Sequence, residues 1–178
     1  MKKKNIISIE TIMAARAQSA RALSLPYSEL IGLTGPKGVG KSTLACNLTD
    51  SWGEVLSFAE PIREMLEQIV PRDCLTDKKE EVIPWLGVTG RQMLQRLGTE
   101  FGRNLDSDIW VNIAQRSLVI CDSTPIIFDD VRFPNEAKMI KRNGGQVWRL
   151  TRAGIENTDT HSSEDGIPEE LIDRVVEL

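Results

Sequence analysis

The sequence predicts an α/β fold with a central, mainly parallel sheet, and three observations carry that prediction. Leu30–Thr34, Pro125–Asp130 and Gln146–Leu150 are short, largely apolar runs that suit buried parallel strands. Helical patterns alternate with them, which is the order of β–α–β units. Between the first run and its helix lies Gly35-Pro36-Lys37-Gly38-Val39-Gly40-Lys41-Ser42, which satisfies G-x-x-x-x-G-K-[ST].

Strand, glycine loop and helix are the context this motif requires, so the fold expected is the three-layer P-loop NTPase arrangement. Gly35, Gly38 and Gly40 let backbone N–H groups curl around phosphate oxygens, and the following helix adds the positive end of its dipole. Lys41 is placed to reach the outer phosphates and the Ser42 hydroxyl to ligate a magnesium ion. Lys37 and Thr43 complete the expected ATP-binding set.

The chain has 178 residues, of which 40% are hydrophobic, enough for one domain with a real core. A net charge of −4 argues against nucleic-acid binding as the main business. Three cysteines, Cys46, Cys74 and Cys121, show neither metal-type nor redox spacing and read as reduced thiols of a cytoplasmic protein. No apolar run is long enough to span a membrane.

Residues 1–28 precede the first expected core strand. They are basic, and Ile9 to Leu23 reads as a helix, so the segment is expected to be a docking helix or arm; an organellar transit peptide is the alternative. Residues 29–178 form the expected P-loop domain. Glu54–Ala59 reads as the second strand, and Glu60-Pro61-Ile62-Arg63 opens a helix with proline in its first turn. Small P-loop kinases place their acceptor past this strand, making Ile62 and Arg63 candidates to pack on it and pair with its phosphate; a plain helix start with a solvated arginine is the other reading. In residues 71–89, Trp85 either caps the acceptor pocket or is buried.

Thr89 to Arg103 reads as a helix with three faces. Met93, Leu94, Leu97 and Phe101 form the core face, and Gln92, Arg96, Thr99, Glu100 and Arg103 a polar one. Arg91, Gln95, Gly98 and Gly102 share a narrow arc. Each interior glycine is about 1 kcal/mol less favourable than alanine, so two on one arc imply a close approach by a neighbouring helix or by a nucleotide. In the second case Arg91 meets its phosphate and Gln95 its base. Asp106-Ser107-Asp108 caps a helix from Ile109 to Val119, in whose first turn Trp110 either stacks on a base or plugs the core. Asp129 and Asp130 end the Pro125 strand, where a carboxylate beside the P-loop holds the magnesium shell. Asp130 is preferred, and Arg132 follows as a candidate to offset charge on the transferring phosphoryl group. Glu136 to Arg142 reads as a helix stopped by Asn143-Gly144-Gly145. Arg149 and Arg152 flank the end of the next strand and introduce a polar lid over about 151–166 that contains the only histidine, His161. Leu171–Leu178 is a last strand or helix.

These phrases resemble the bacteriophage deoxynucleoside monophosphate kinases. The resemblance rests on Gly35–Ser42, Phe58–Arg63, Arg91–Glu100, Asp130–Ala137 and His161–Glu164, and covers roughly residues 29–175. It implies a nucleoside monophosphate kinase fold with a lid. It also implies transfer of the ATP γ-phosphate to a deoxynucleoside monophosphate, with Mg2+, in the host cytoplasm. The expected catalytic residues are Lys41, Arg132 and Arg152, with Arg149 on ATP and with Ser42 and Asp130 on the metal. Phe58, Ile62, Arg63, Arg91, Gln95, Gly98, Thr99, Arg103 and Trp110 are expected at the acceptor. A homodimer fits this class, whereas nucleic acid and membrane do not. The basic arm departs from the family's pattern, and so does a C-terminus that looks short, which predicts a less stable or truncated product. Dephospho-coenzyme A or phosphomevalonate kinase-like enzymes and a non-catalytic nucleotide switch are the competing readings.

Overall fold

The computed structural model describes residues 6–11, 30–49, 53–121, 125–155 and 166–178. The chain divides into two compact units, one of Met1–Ser57 with Cys121–Leu178 and one of Phe58–Ile120.

The first unit holds a six-stranded sheet: β1 (Ile6–Ser8), β2 (Leu30–Thr34), β3 (Glu54–Leu56), β6 (Ile126–Phe128), β7 (Gln146–Thr151) and β8 (Arg174–Glu177). Their order is β1-β8-β7-β2-β6-β3, and every pairing is parallel. The expected mainly parallel sheet is therefore present, with β2 inside it and buried along its whole length. Helix α1 (Lys41–Thr49) buries Leu44, Ala45 and Leu48, one stripe at helical spacing. These pack with Ile31, Leu33, Ile127, Trp148, Leu150 and Val176 into one core. Helix α5 (Pro134–Arg142) begins two residues earlier than the sequence suggested, with Pro134 in its first turn, and ends where Gly145 N–H bonds the Ile140 carbonyl.

Two differences from the sequence reading are local. Strand β3 ends at Leu56 rather than running to Ala59. Of the two forms considered for the C-terminal run, the strand is present, over Arg174–Glu177 and paired to β7. Ile6–Ser8, assigned to a helical arm, is an edge strand paired to β8, with a helical turn at residues 9–11; the remainder of the expected helix lies outside the described residues.

The second unit contains α2 (Glu60–Leu66), a hairpin of β4 (Val82–Ile83) and β5 (Val88–Thr89), α3 (residues 90–105), and α4 (Ile109–Ile120). Its own apolar cluster centres on Ile62, Leu66, Val70, Leu75, Ile83 and Trp110. Trp85 lies in the hairpin's turn and is 63% exposed, so it is not the buried tryptophan considered above. Helix α3 starts with a reciprocal cap, Thr89 Oγ1 accepting from Gln92 N–H (3.1 Å) and Gln92 Oε1 from Thr89 N–H (2.9 Å). It is α-helical over Gly90–Gln95, π-helical over Arg96–Gly102, and α-helical again over Arg103–Leu105.

The π segment overturns part of the helical-wheel reading. A wider turn advances each residue by a smaller angle, so positions after Arg96 rotate away from their α-helical faces. Met93, Leu94 and Leu97 still pack on the cluster, but Phe101, expected in the core, is 59% exposed. The two glycines accommodate the protein's own side chains. A Cβ on Gly98 would lie 2.8 Å from Ile62 Cδ1, and one on Gly102 only 2.4 Å from Trp110 Cζ2. The Trp110 indole N–H donates to the Gly98 carbonyl at 2.7 Å, inside the π turn. Trp110→Phe removes that donor from a buried carbonyl and is expected to destabilise the protein by about 1–3 kcal/mol, read from the midpoint of urea unfolding.

Candidate active site

Because the sheet is parallel, all strand C-termini emerge on one edge, the usual place for ligands in α/β folds. The register aligns Gly32 of β2 with Phe128 of β6, and Phe128 in turn with Leu56 of β3. The residues that follow these strands are Gly35, Asp129 and Ser57, and Arg152 follows β7.

The P-loop opens at Gly35 with φ +136°, and Gly38 and Gly40 also have positive φ. Gly35 permits a close approach: a Cβ there would sit 2.5 Å from the Leu150 carbonyl oxygen of β7. Lys41, in the first turn of α1, donates through Nζ to the carbonyls of Gly35 (2.7 Å) and Pro36 (2.8 Å), so its ammonium lies against the loop it is expected to serve. Lys37 and Thr43 are exposed nearby in sequence.

Two hydroxyls meet two consecutive carboxylates. Ser42 Oγ donates to Asp129 Oδ2 at 2.6 Å, and Ser57 Oγ donates to Asp130 Oδ2 at 2.5 Å. The carboxylate beside the P-loop serine is thus Asp129, not the preferred Asp130. The backbone fixes this arrangement: Asp129 N–H bonds the Leu56 carbonyl of β3 (3.2 Å) and Val131 N–H the Leu33 carbonyl of β2 (3.1 Å). Ser57, which sequence reasoning passed over, is held by the second aspartate.

Arg152 comes close to the loop, with Nη2 3.5 Å from the position a Cβ on Gly40 would take. Arg149 is engaged elsewhere. It pairs with Glu169, donates to the Ile167 carbonyl (2.7 Å), and burial lowers its guanidinium from the usual arginine value. These contacts join β7 to the segment before β8. Residues 156–165, with His161 and most of the expected lid, lie outside the described residues. Arg132 is half-buried, and its backbone N–H is held by the Glu136 carboxylate.

In the second unit, Arg63, Arg91, Gln95, Thr99 and Arg103 are half-buried. Arg63 pairs with Glu60 (3.1 Å), Arg91 with Glu80 (3.4 Å), and Arg103 donates to the Ser107 carbonyl (2.9 Å). Glu60 and Glu67 both also bind Arg72, which raises the Arg72 pKa. Phe58, Ile62, Gly98 and Trp110 are buried. For Gly98 and Trp110 this is a correction. Ile62 fills the space over Gly98, and Trp110 is 4% exposed with its N–H committed, so neither presents a free face to a base.

Among the described residues no group of three or more His, Cys, Asp or Glu could cage a metal ion, and no helix is long and apolar enough to cross a membrane.

A family profile described as deoxynucleotide monophosphate kinase matches residues 78–177. The chain belongs to that family. It is an ATP-dependent nucleoside monophosphate kinase, which sets aside the coenzyme A, phosphomevalonate and switch readings. Two curated relatives agree. A putative deoxynucleotide monophosphate kinase of Acanthamoeba polyphaga mimivirus is 33% identical over 154 residues, covering 76% of this chain and 80% of that protein. The deoxynucleoside-5′-monophosphate kinase of Escherichia phage T5 is 30% identical over 127 residues, covering 67% of this chain and 50% of that protein. The chain thus spans about half the length of the phage relative. The family profile begins after the P-loop, so membership in the deoxynucleotide monophosphate kinases is decided by α3, the β6–α5 phrase and β7–β8 rather than by the loop shared with many NTPases.

The loop geometry has a direct test. Gly35→Ala adds a Cβ at a positive φ and against a carbonyl oxygen, which is expected to cost at least about 1–3 kcal/mol and to abolish the rise in melting temperature that Mg-ATP gives the unsubstituted protein.

Proposed function

We propose that the P-loop edge of the sheet binds ATP and that the Phe58–Ile120 unit supplies the residues that hold a deoxynucleoside monophosphate. The Ser42–Asp129 hydrogen bond carries this reading, because it joins the P-loop hydroxyl to a strand-end carboxylate where a nucleotide-bound cation is held in P-loop enzymes.

The attacking group is an oxygen of the acceptor's 5′-phosphate. With a second pKa near 6, about the value for a phosphate monoester, it is already ionised at neutral pH and no general base is needed. A bond forms from that oxygen to the γ-phosphorus, the bond to the β,γ-bridging oxygen breaks, and the electron pair leaves with ADP. What the protein contributes is position and charge neutralisation. Lys41 turns from the loop carbonyls to the γ-phosphate, and the loop amides with Lys37 and Thr43 hold the rest of the triphosphate. Arg132 and Arg152 face the equatorial oxygens.

Ser42 and Asp129 are hard oxygen donors suited to Mg2+, which keeps several waters and substrate phosphates as ligands and so needs no three-residue cage. Bound there, the ion would neutralise charge on the triphosphate. Asp130 then acts on Ser57 rather than on the metal. Arg63 and Arg91 exchange Glu60 and Glu80 for the acceptor phosphate; the carboxylates keep the guanidinium groups extended until a more highly charged partner arrives. Gln95, Thr99 and Arg103 line the same helix and serve the nucleoside.

A coupled ADP-release assay over the four deoxynucleoside monophosphates and the matching ribonucleotides is expected to show turnover with at least one deoxynucleotide. Absence of turnover with all four overturns the reading. Lys41→Ala is expected to lower kcat by about 10²–10³-fold. Asp129→Asn should raise the Mg2+ concentration for half-maximal rate by about ten- to a hundredfold, and Asp130→Asn should leave it unchanged. The opposite ranking would return the metal role to Asp130.

A further inference from the structure

Glu136 is 2% exposed, the most deeply buried of the charged residues among those described. It stands in the first turn of α5, where a carboxylate is normally solvated and needs no burial to favour the helix dipole. Its Oε2 accepts two backbone N–H groups, from Phe133 at 3.0 Å and from Arg132 at 2.8 Å. The first bond satisfies the N–H of the N-cap residue, as the third helical residue does in a capping box, although Phe133 has no side-chain acceptor to reciprocate. The second reaches one residue further out and has no part in capping. It fixes the peptide from which the Arg132 side chain departs, two residues after Asp130. Burying an ionised carboxylate is unfavourable unless hydrogen bonds to it compensate, so both N–H donors are strongly held.

We infer that Glu136 is a positioning residue for phosphoryl transfer, acting through the Arg132 backbone to aim its guanidinium at the transferring group. The inference rests on the proposed role of Arg132. An arginine following a strand end has two soft backbone torsions per residue with which to drift. A misplacement of about 1 Å at a group that stabilises the transition state can cost about a hundredfold in rate. The carboxylate removes that freedom before substrate arrives, while α5 anchors it through Ala137, Met139 and Ile140 in the core.

The test compares Arg132→Ala, Glu136→Ala, Glu136→Gln and the Arg132→Ala/Glu136→Ala double variant, each with melting temperature, kcat and the KM for ATP and dNMP. Glu136→Ala is expected to lower kcat by about ten- to a hundredfold with the KM for ATP unchanged. Glu136→Gln, whose amide oxygen can accept the same N–H groups, is expected to restore most of the rate. In the Arg132→Ala background, Glu136→Ala should change kcat by no more than about twofold, because a residue acting through Arg132 has nothing left to position. Folded Glu136→Ala with wild-type kcat overturns the inference, and so do effects of the two substitutions that multiply. If Glu136→Ala does not fold, Glu136→Asp carries the same comparison, since it keeps a carboxylate at the helix start but withdraws it by one methylene from Arg132 N–H. Wild-type activity in that variant likewise overturns the inference. An Arg132→Ala variant with unchanged kcat would instead remove the Arg132 role itself, and is distinguishable because the Glu136 variants are then read against an intact rate.

Discussion

The phosphate site depends on β2 being hydrogen-bonded on both sides to parallel neighbours. That pairing sets β6 on one flank and β7 on the other, with β3 beyond β6. Gly35, Asp129, Ser57 and Arg152 come from distant parts of the sequence, yet each follows the C-terminal end of one of these strands. Parallel pairing requires both faces of the sheet to be covered, which agrees with β2 and β6 being buried along their whole length rather than on alternate residues. The same interior that stabilises the sheet, with Leu33, Ile127, Trp148 and Leu150 fully buried, therefore also fixes the spacing of the strand ends from which the proposed phosphate-binding groups depart.

The two adjacent aspartates that follow β6 meet different partners. Asp129 reaches the helix that follows the P-loop, and Asp130 the end of β3. Their backbone neighbours are pinned to different strands, so the division does not depend on side-chain rotamers alone. Each aspartate is matched to a serine, and neither hydroxyl is left to choose between them.

The legible parts of the sequence were those in which the chemistry lies in contiguous residues. Gly35–Ser42 carries its glycines, lysine and serine in fixed order, and β2, α1 and β7 announce themselves by burial-compatible runs. The choice between Asp129 and Asp130 was not legible, because a one-residue difference in facing depends on where β6 stops. Helix α3 was legible up to Gln95. Beyond it, the π turn changed the angular step, and a wheel drawn with a constant step misplaced Phe101. Ile6–Ser8 was missed because its only merit as a strand is a partner near the far end of the chain. Glu136 carried a signal that could have been used, a glutamate two residues after a helix-opening proline; its second bond to Arg132 N–H could be seen only in three dimensions.

The Phe58–Ile120 segment leaves the sheet after β3 and the chain rejoins it at β6, and these two strands are direct neighbours. Glu54 N–H bonds the Pro125 carbonyl (2.9 Å), and Cys121 Sγ meets Glu54 Oε2 (2.8 Å), so the two ends of the excursion are held together by the sheet itself. For a loop whose ends are already closed, the entropy of closure rises only slowly with length, by roughly 0.6 kcal/mol for each doubling. The excursion also has its own apolar cluster. A change in the length of this segment is thus expected to cost the sheet little.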